Sequence, residues 1–84
     1  MENNQMKIKL FAQLADAIAP EVEVELASEV TRSSILTALM DKYPLQADLI
    51  KMSSVAINQT YVYDESFRSE EVQEIAIIPP VSGG

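Results

Sequence analysis

The sequence closes on Ile78-Pro79-Pro80-Val81-Ser82-Gly83-Gly84, and Gly83 and Gly84 are its only two glycines. Average usage would scatter about six through a chain of this length. Glycine lacks a Cβ, so a narrow channel can close around a Gly-Gly backbone from every side. The reactive group delivered there would be the terminal carboxylate of Gly84. A carboxylate is a poor electrophile and a poor nucleophile, but adenylation by ATP turns it into an acyl donor. From that state it can be esterified, amidated or converted to a thiocarboxylate. Pro79 and Pro80 cannot continue a strand ladder and favour polyproline geometry, so residues 79–84 are expected to project as an extended tail. At about 3.3 Å per residue the tail reaches roughly 20 Å, enough to enter another protein's active site. A Gly-Gly end alone also reads as surplus chain. Its coincidence with two stiffening prolines and a glycine-free body favours function.

Composition narrows the field. The chain has 84 residues, 48% hydrophobic and 23% charged, which fits one globular domain whose core leaves little room for an enclosed substrate site. A free-standing enzyme is not expected. Cysteine and histidine are absent, which removes disulfides, thiolate nucleophiles, the usual zinc ligand sets and imidazole acid–base chemistry. Thirteen acidic residues against six basic ones give a formal charge of −7. Nucleic-acid binding would need clustered Lys and Arg, so a basic protein surface is the better electrostatic complement. Acidity that only maintains solubility explains the charge equally well. No apolar run has spanning length and residues 1–5, Met-Glu-Asn-Asn-Gln, have no signal-peptide character. A cytoplasmic protein without membrane association is expected.

The elements that must carry the tail follow from periodicity. Residues 1–5 are polar and expected to be disordered. Residues 6–11 alternate, with Met6, Ile8 and Leu10 inward and Lys7, Lys9 and Phe11 outward. Residues 12–20 suggest a short helix carrying Leu14, Ala15 and Ile18 and stopped by Pro20. Residues 21–26 alternate strictly, with Glu21, Glu23 and Glu25 outward; paired with the first strand, this glutamate face meets the lysine face. The glutamate row reads as a solvated face rather than a metal site. Thr31 is placed to cap the main helix, whose stripe is Ile35, Leu36, Leu39, Met40 and Tyr43 and whose end is Pro44. A further turn over 45–52 would pack Leu45 with Leu49.

Residues 54–64 read as strand, tight turn and strand, with Val55, Ile57 and Val62 inward and Tyr61 and Tyr63 outward. Asn58 suits the turn because it tolerates positive φ. Phe67 is expected to pin the charged connection over 64–73 to the core. The last strand, 74–78, faces Ile75 and Ile77 inward and Ala76 and Ile78 outward. An opening hairpin, a helix crossing one face and a last strand lying centrally, parallel to the first, form an α+β fold of the β-grasp, ubiquitin-like kind. It has a mixed five-stranded sheet, one main helix on one face, a domain spanning 6–78 and the tail 79–84.

Three stretches, Lys7-Ile-Lys-Leu-Phe-Ala-Gln-Leu-Ala-Asp-Ala-Ile18, Val55-Ala-Ile-Asn-Gln-Thr-Tyr-Val62 and Ile78-Pro-Pro-Val-Ser-Gly-Gly84, together resemble the small subunits of molybdopterin synthase, a family of ubiquitin-like sulfur carriers. The resemblance spans Met6 to Gly84. It implies that Gly84 is adenylated by an activating enzyme related to those of ubiquitin, which uses ATP, and is then thiolated. It further implies that Pro79, Pro80, Val81, Ser82 and Gly83 form a tail inserted into the large synthase subunit, where Gly84 donates sulfur to cyclic pyranopterin monophosphate. Two small and two large subunits, no bound cofactor or metal and a sulfur-donating, non-catalytic role within a heteromeric transferase complete the implied picture. Phe11, Tyr61 and Ile78 match positions where the family places apolar residues against the large subunit.

One departure stands out: relatives usually carry an Asp-Gly-Asp type of turn before the last strand, and here residues 71–74 read Glu-Val-Gln-Glu. The conformation of that turn is left open. Three rival functions share the fold: a sulfur carrier for thiamin thiazole or tRNA thiolation, a protein modifier joined through Gly84, and an interaction domain with an inert tail.

Overall fold

The computed structural model describes residues 4–80, with the stretch 81–84 outside the described residues. Strand β1 (Asn4–Leu10) and strand β2 (Glu21–Leu26) form the opening hairpin, joined by helix α1 (Ala12–Ala17). The register pairs Lys7 with Glu23 and Lys9 with Glu21, as the alternation of charges requires. The strand opens at Asn4 rather than Met6, which corrects the expectation of a disordered 1–5 at its last two positions. Backbone pairing with β2 extends to Asn4 opposite Leu26, and the Asn4 carboxamide donates to Ser69 Oγ at 2.9 Å. A polar strand end is thereby held by ladder bonds that hydropathy does not register.

Strand β3 (Glu29–Thr31) leads into helix α2 (Arg32–Lys42). Thr31 Oγ1 accepts from the Ser34 N–H and Ser34 Oγ accepts from the Thr31 N–H, a reciprocal cap that satisfies a free helix donor. Pro44 opens a short 3-10 turn and is followed by helix α3 (Ala47–Lys51). Here the expected Leu45–Leu49 pairing fails. Leu45 is 93% exposed on the 3-10 turn and Ile50 is fully buried in its place. Leu45 lies in the 3-10 turn and Leu49 in α3, so a 3.6-residue spacing between them crosses two helix types and does not bring them to one face.

Strands β4 (Ser54–Ile57) and β5 (Thr60–Val62) form a hairpin whose two-residue turn, Asn58 and Gln59, has φ of 53° and 69°. Both central residues are left-handed, the type I′ pattern that matches strand twist, achieved here without glycine. Strand β6 (Ser66–Arg68) pairs antiparallel with β3, making a second sheet absent from the sequence reading, and Phe67 opposite Val30 packs on the core as expected. Strand β7 (Ile75–Ile78) closes the fold.

The main sheet runs β2-β1-β7-β4-β5, with β7 parallel to β1 and antiparallel to β4. This is the β-grasp arrangement. Ile35, Leu36 and Leu39 of α2 join Ile8, Leu10, Ile57, Ile75 and Ile77 in one core cluster. Each fully buried Ile or Leu contributes about 1.5–3 kcal/mol of transfer free energy. The core lies between α2 and one face of the sheet. Its other face carries no helix in this core, and the last strand runs down the middle of it.

Candidate functional site

The uncovered face is built from alternate residues of four strands. Register places Lys9, Ala76, Ala56 and Tyr61 side by side across β1, β7, β4 and β5. One step toward the exit of β7, Ile78 lies opposite Ser54, with Phe11 directly after Leu10, the partner of Ile77. Small residues at the centre and aromatic residues at the flanks make a shallow apolar area. Phe11 is 45% exposed and Tyr61 53% exposed, so half of each ring remains available to a partner. Ile78 is half-buried at the end of its strand.

Local backbone geometry sets these positions. Ala12 has φ of 51°, a left-handed conformation that costs a non-glycine residue about 1–2 kcal/mol. That turn sends the chain from β1 into α1, where the Phe11 carbonyl accepts from Leu14 and Ala15 N–H. Phe11 is thereby held between strand and helix. Beyond β5, Glu65 Oε1 accepts from the Tyr63 N–H at 2.7 Å and fixes the bend at which Tyr63 sits, 73% exposed. This bond, with further backbone donors at Glu65 and Asp64, holds the Glu65 carboxyl below its ordinary range. Tyr63 extends the apolar area, and its outward phase next to Val62 was the signal for it. The central alanines were legible in the same way but carry no chemistry of their own.

The other half of the face is charged. Lys9 Nζ is 3.0 Å from Glu74 Oε2, across to the β7 side, although the register sets it opposite Glu21. The Lys9 hydrogen bond, then one from Gln59 and the Lys9 charge, pull the Glu74 carboxyl below the usual glutamate range. The face therefore divides into an apolar area beside the exit of β7 and an ionic area at its start. Among the described residues no group of three potential metal-ligating side chains is assembled. No helix there is long and apolar enough to cross a membrane.

The turn left open by the sequence is resolved. Residues Ser69–Glu71 form a single 3-10 turn, and the chain then runs extended into β7. Asn58 takes the place of a turn-forming Asp-Gly pair: its Oδ1 accepts from the N–H groups of Gln73 and Glu74, and its Nδ2 donates to the Glu71 carbonyl. The start of β7 is thus clamped to the β4–β5 turn.

Of the expected tail, Pro79 is buried and Pro80 exposed. Within the described part of the tail, exposure thus begins at Pro80. Val81, Ser82, Gly83 and Gly84 lie outside the described residues.

Comparison with known proteins accords with this geometry. The family model described as "ThiS family" matches residues 8–84. The chain is 36% identical over 85 residues to a molybdopterin synthase sulfur carrier subunit from Dictyostelium discoideum, covering 98% of this chain and 99% of that one. Among solved structures, SAMP1 from Haloferax volcanii superposes with a TM-score of 0.75 at 30% identity, covering 96% of this chain and all of the other. The small archaeal modifier protein 1 from Methanosarcina acetivorans superposes with a TM-score of 0.71 at 27% identity over the whole of both chains.

Proposed function

Since the chain belongs to the ThiS family, we propose that it is the sulfur carrier subunit of a molybdopterin synthase. The observation that carries this reading is the placement of β7. The strand lies at the sheet centre, flanked by the apolar area of Phe11, Ile78 and Tyr61, and hands the chain to Pro79 and Pro80 at that area's edge. A partner that docks on this face receives the tail as part of the same contact.

In the proposed cycle an activating enzyme of the ubiquitin type transfers AMP from ATP to the Gly84 carboxylate, releasing pyrophosphate. A sulfur donor then displaces AMP and leaves a thiocarboxylate, a softer and stronger nucleophile. The large subunit receives Pro80, Val81, Ser82, Gly83 and Gly84, and sulfur passes to cyclic pyranopterin monophosphate on the way to the dithiolene. This chain supplies no general base from histidine, so the acid–base groups of transfer belong to the partner. Two small and two large subunits are the proposed assembly, with no cofactor held by the carrier and a cytoplasmic setting.

The deciding experiment is intact-mass spectrometry of the chain co-expressed with its activating enzyme, followed by a molybdopterin assay with the large subunit. A mass increase equal to sulfur replacing one oxygen, and sulfur transfer to the pterin, are expected. An unmodified mass, or activity that survives deletion of Gly84, would overturn the reading. The solved relatives named as modifiers favour one second reading, attachment of Gly84 to a lysine of another protein. Covalent conjugates in place of pterin sulfuration would identify it.

A further inference from the structure

Four surface grooves of the described residues are each lined by a carboxylate: Glu29 with Glu70, Glu23 with Asp41, Glu74, and Glu21 with Glu74. A fifth is not. It lies between the start of α2 and the β4–β5 hairpin, and its lining includes Arg32, Met52, Ser54, Tyr61 and Tyr63 but no acidic residue. In a chain with thirteen acidic residues and six basic ones, a groove with a guanidinium and no carboxylate is suited to an anion. Its volume of about 200 Å³ falls below the ~300–1,000 Å³ of ordinary small-molecule sites and suits one protein side chain.

Arg32 is not consumed by the fold. Its Nη2 donates to the Ser53 carbonyl at 3.4 Å, a long contact for a charged donor, and neither ion pair of the described residues involves it. It is also the first residue of α2, where a cation opposes the helix dipole. An arginine at this position runs against local preference, and most of its donors remain available to a partner. The groove is continuous with the apolar face: Tyr61 belongs to both, and Ser54 pairs with Ile78.

We propose that this groove receives one carboxylate side chain of the large synthase subunit, making Arg32 a specificity contact at the rim of the docking face; the proposal rests on the carrier reading above. The guanidinium takes the carboxylate through paired N–H donors, Ser54 and the tyrosines offer hydroxyls, and Met52 lies along the methylene groups. A charged rim contact sets partner choice and association rate beside an apolar centre that supplies most of the affinity.

The test is calorimetric titration of the full-length chain with the purified large subunit at low and high salt. Arg32→Gln, which keeps a donor for Ser53 but removes the charge, should weaken binding about tenfold at low salt and flatten the salt dependence. Arg32→Lys should recover part of the loss, and Arg32→Glu should bind more weakly than Arg32→Gln. Among alanine substitutions of large-subunit carboxylates, one should cost affinity with the wild-type chain and nothing with Arg32→Gln. Unchanged binding by both Arg32→Gln and Arg32→Glu overturns the groove alone, as does a loss coupled to no partner carboxylate. A change in self-association, or a loss that disappears once Gly84 is deleted, assigns the groove to a second copy or to the chain's own terminus and also overturns it. A wild-type chain that binds no large subunit overturns the carrier reading itself.

Discussion

Asn58 and Glu74 are joined at both main chain and side chain. The Asn58 N–H donates to the Glu74 carbonyl at 2.8 Å, and Asn58 Oδ1 accepts from the Glu74 N–H at 3.1 Å. The same oxygen takes the Gln73 N–H at 2.7 Å. One side chain thus closes a tight turn and fixes where the last strand begins, which in turn sets where it ends.

Asn58→Ala removes the carboxamide bonds and places a Cβ residue without local compensation at φ of 53°. Each of the three exposed carboxamide bonds is worth about 0.5–1 kcal/mol and the left-handed conformation about 1 kcal/mol, so a loss of roughly 2.5–4 kcal/mol is expected. Asn58→Gly removes the bonds but tolerates the φ, and should lose about 1 kcal/mol less. Urea denaturation of the three proteins measures both; equal losses for Ala and Gly would show that the backbone conformation contributes nothing.

The Lys9–Glu74 pair predicts a pH dependence whose sign is fixed. Lys9 holds the Glu74 carboxyl below its ordinary value of 4.5, so its stabilising contribution is complete above that value and is lost as pH falls through the lowered one. Lys9→Met should move the Glu74 titration upward toward 4.5 in a carboxyl-detected NMR experiment. Glu65, whose lowering comes first from the Tyr63 N–H, should not move and serves as the internal control. An unchanged Glu74 titration would mean that the pair does not persist in solution.

Docking and folding should separate cleanly across the sheet. Phe11→Ala and Tyr61→Ala remove half-exposed rings from the outer face and should cost only about 1 kcal/mol of stability. Affinity for the large subunit should fall about tenfold or more for each. Ile77→Ala, on the opposite face of β7 and fully buried, should cost about 2–5 kcal/mol of stability. Surface plasmon resonance paired with thermal unfolding distinguishes these; loss of stability without loss of affinity in Phe11→Ala would remove that ring from the docking face.

How much of this was legible follows from the length of each signal. Alternation over six or more residues identified β1 and β2 with their facing charges, and Thr31 as a cap with the apolar stripe identified α2, whereas the reciprocal bond from Ser34 did not show. Strands β3 and β6 have three residues each, too few for a period of two to show, so the second sheet was invisible. Lys9 chose Glu74 because strand order, not sequence proximity, brings β7 alongside β1. The outward phase of Phe11, Tyr61 and Ile78 was readable, whereas their layout, with Tyr61 in the row of Lys9 and Ile78 one row on, needed the register. The groove brings Arg32 of α2 to Ser54 and Tyr61, more than twenty residues further along the chain, and no local pattern reports it.

The two prolines at the exit of β7 should have different roles. Pro79 is buried against the body and Pro80 is exposed, so only the second stiffens chain that has already left the domain. Pro79→Gly is expected to destabilise the fold by about 1 kcal/mol or more, because it deletes packed ring atoms and adds unfolded-state freedom. Pro80→Gly should leave thermal unfolding nearly unchanged, since little contact is lost. It should still slow sulfur transfer about five- to tenfold, because fixing one additional free backbone residue as the tail enters the partner costs about 1 kcal/mol. Adenylation of the same variant should fall in proportion if both enzymes thread the tail through a channel. Single-turnover kinetics of each step, set against melting curves, makes the comparison. Full transfer rates in Pro80→Gly would show that the tail's direction is set entirely at Pro79, inside the fold.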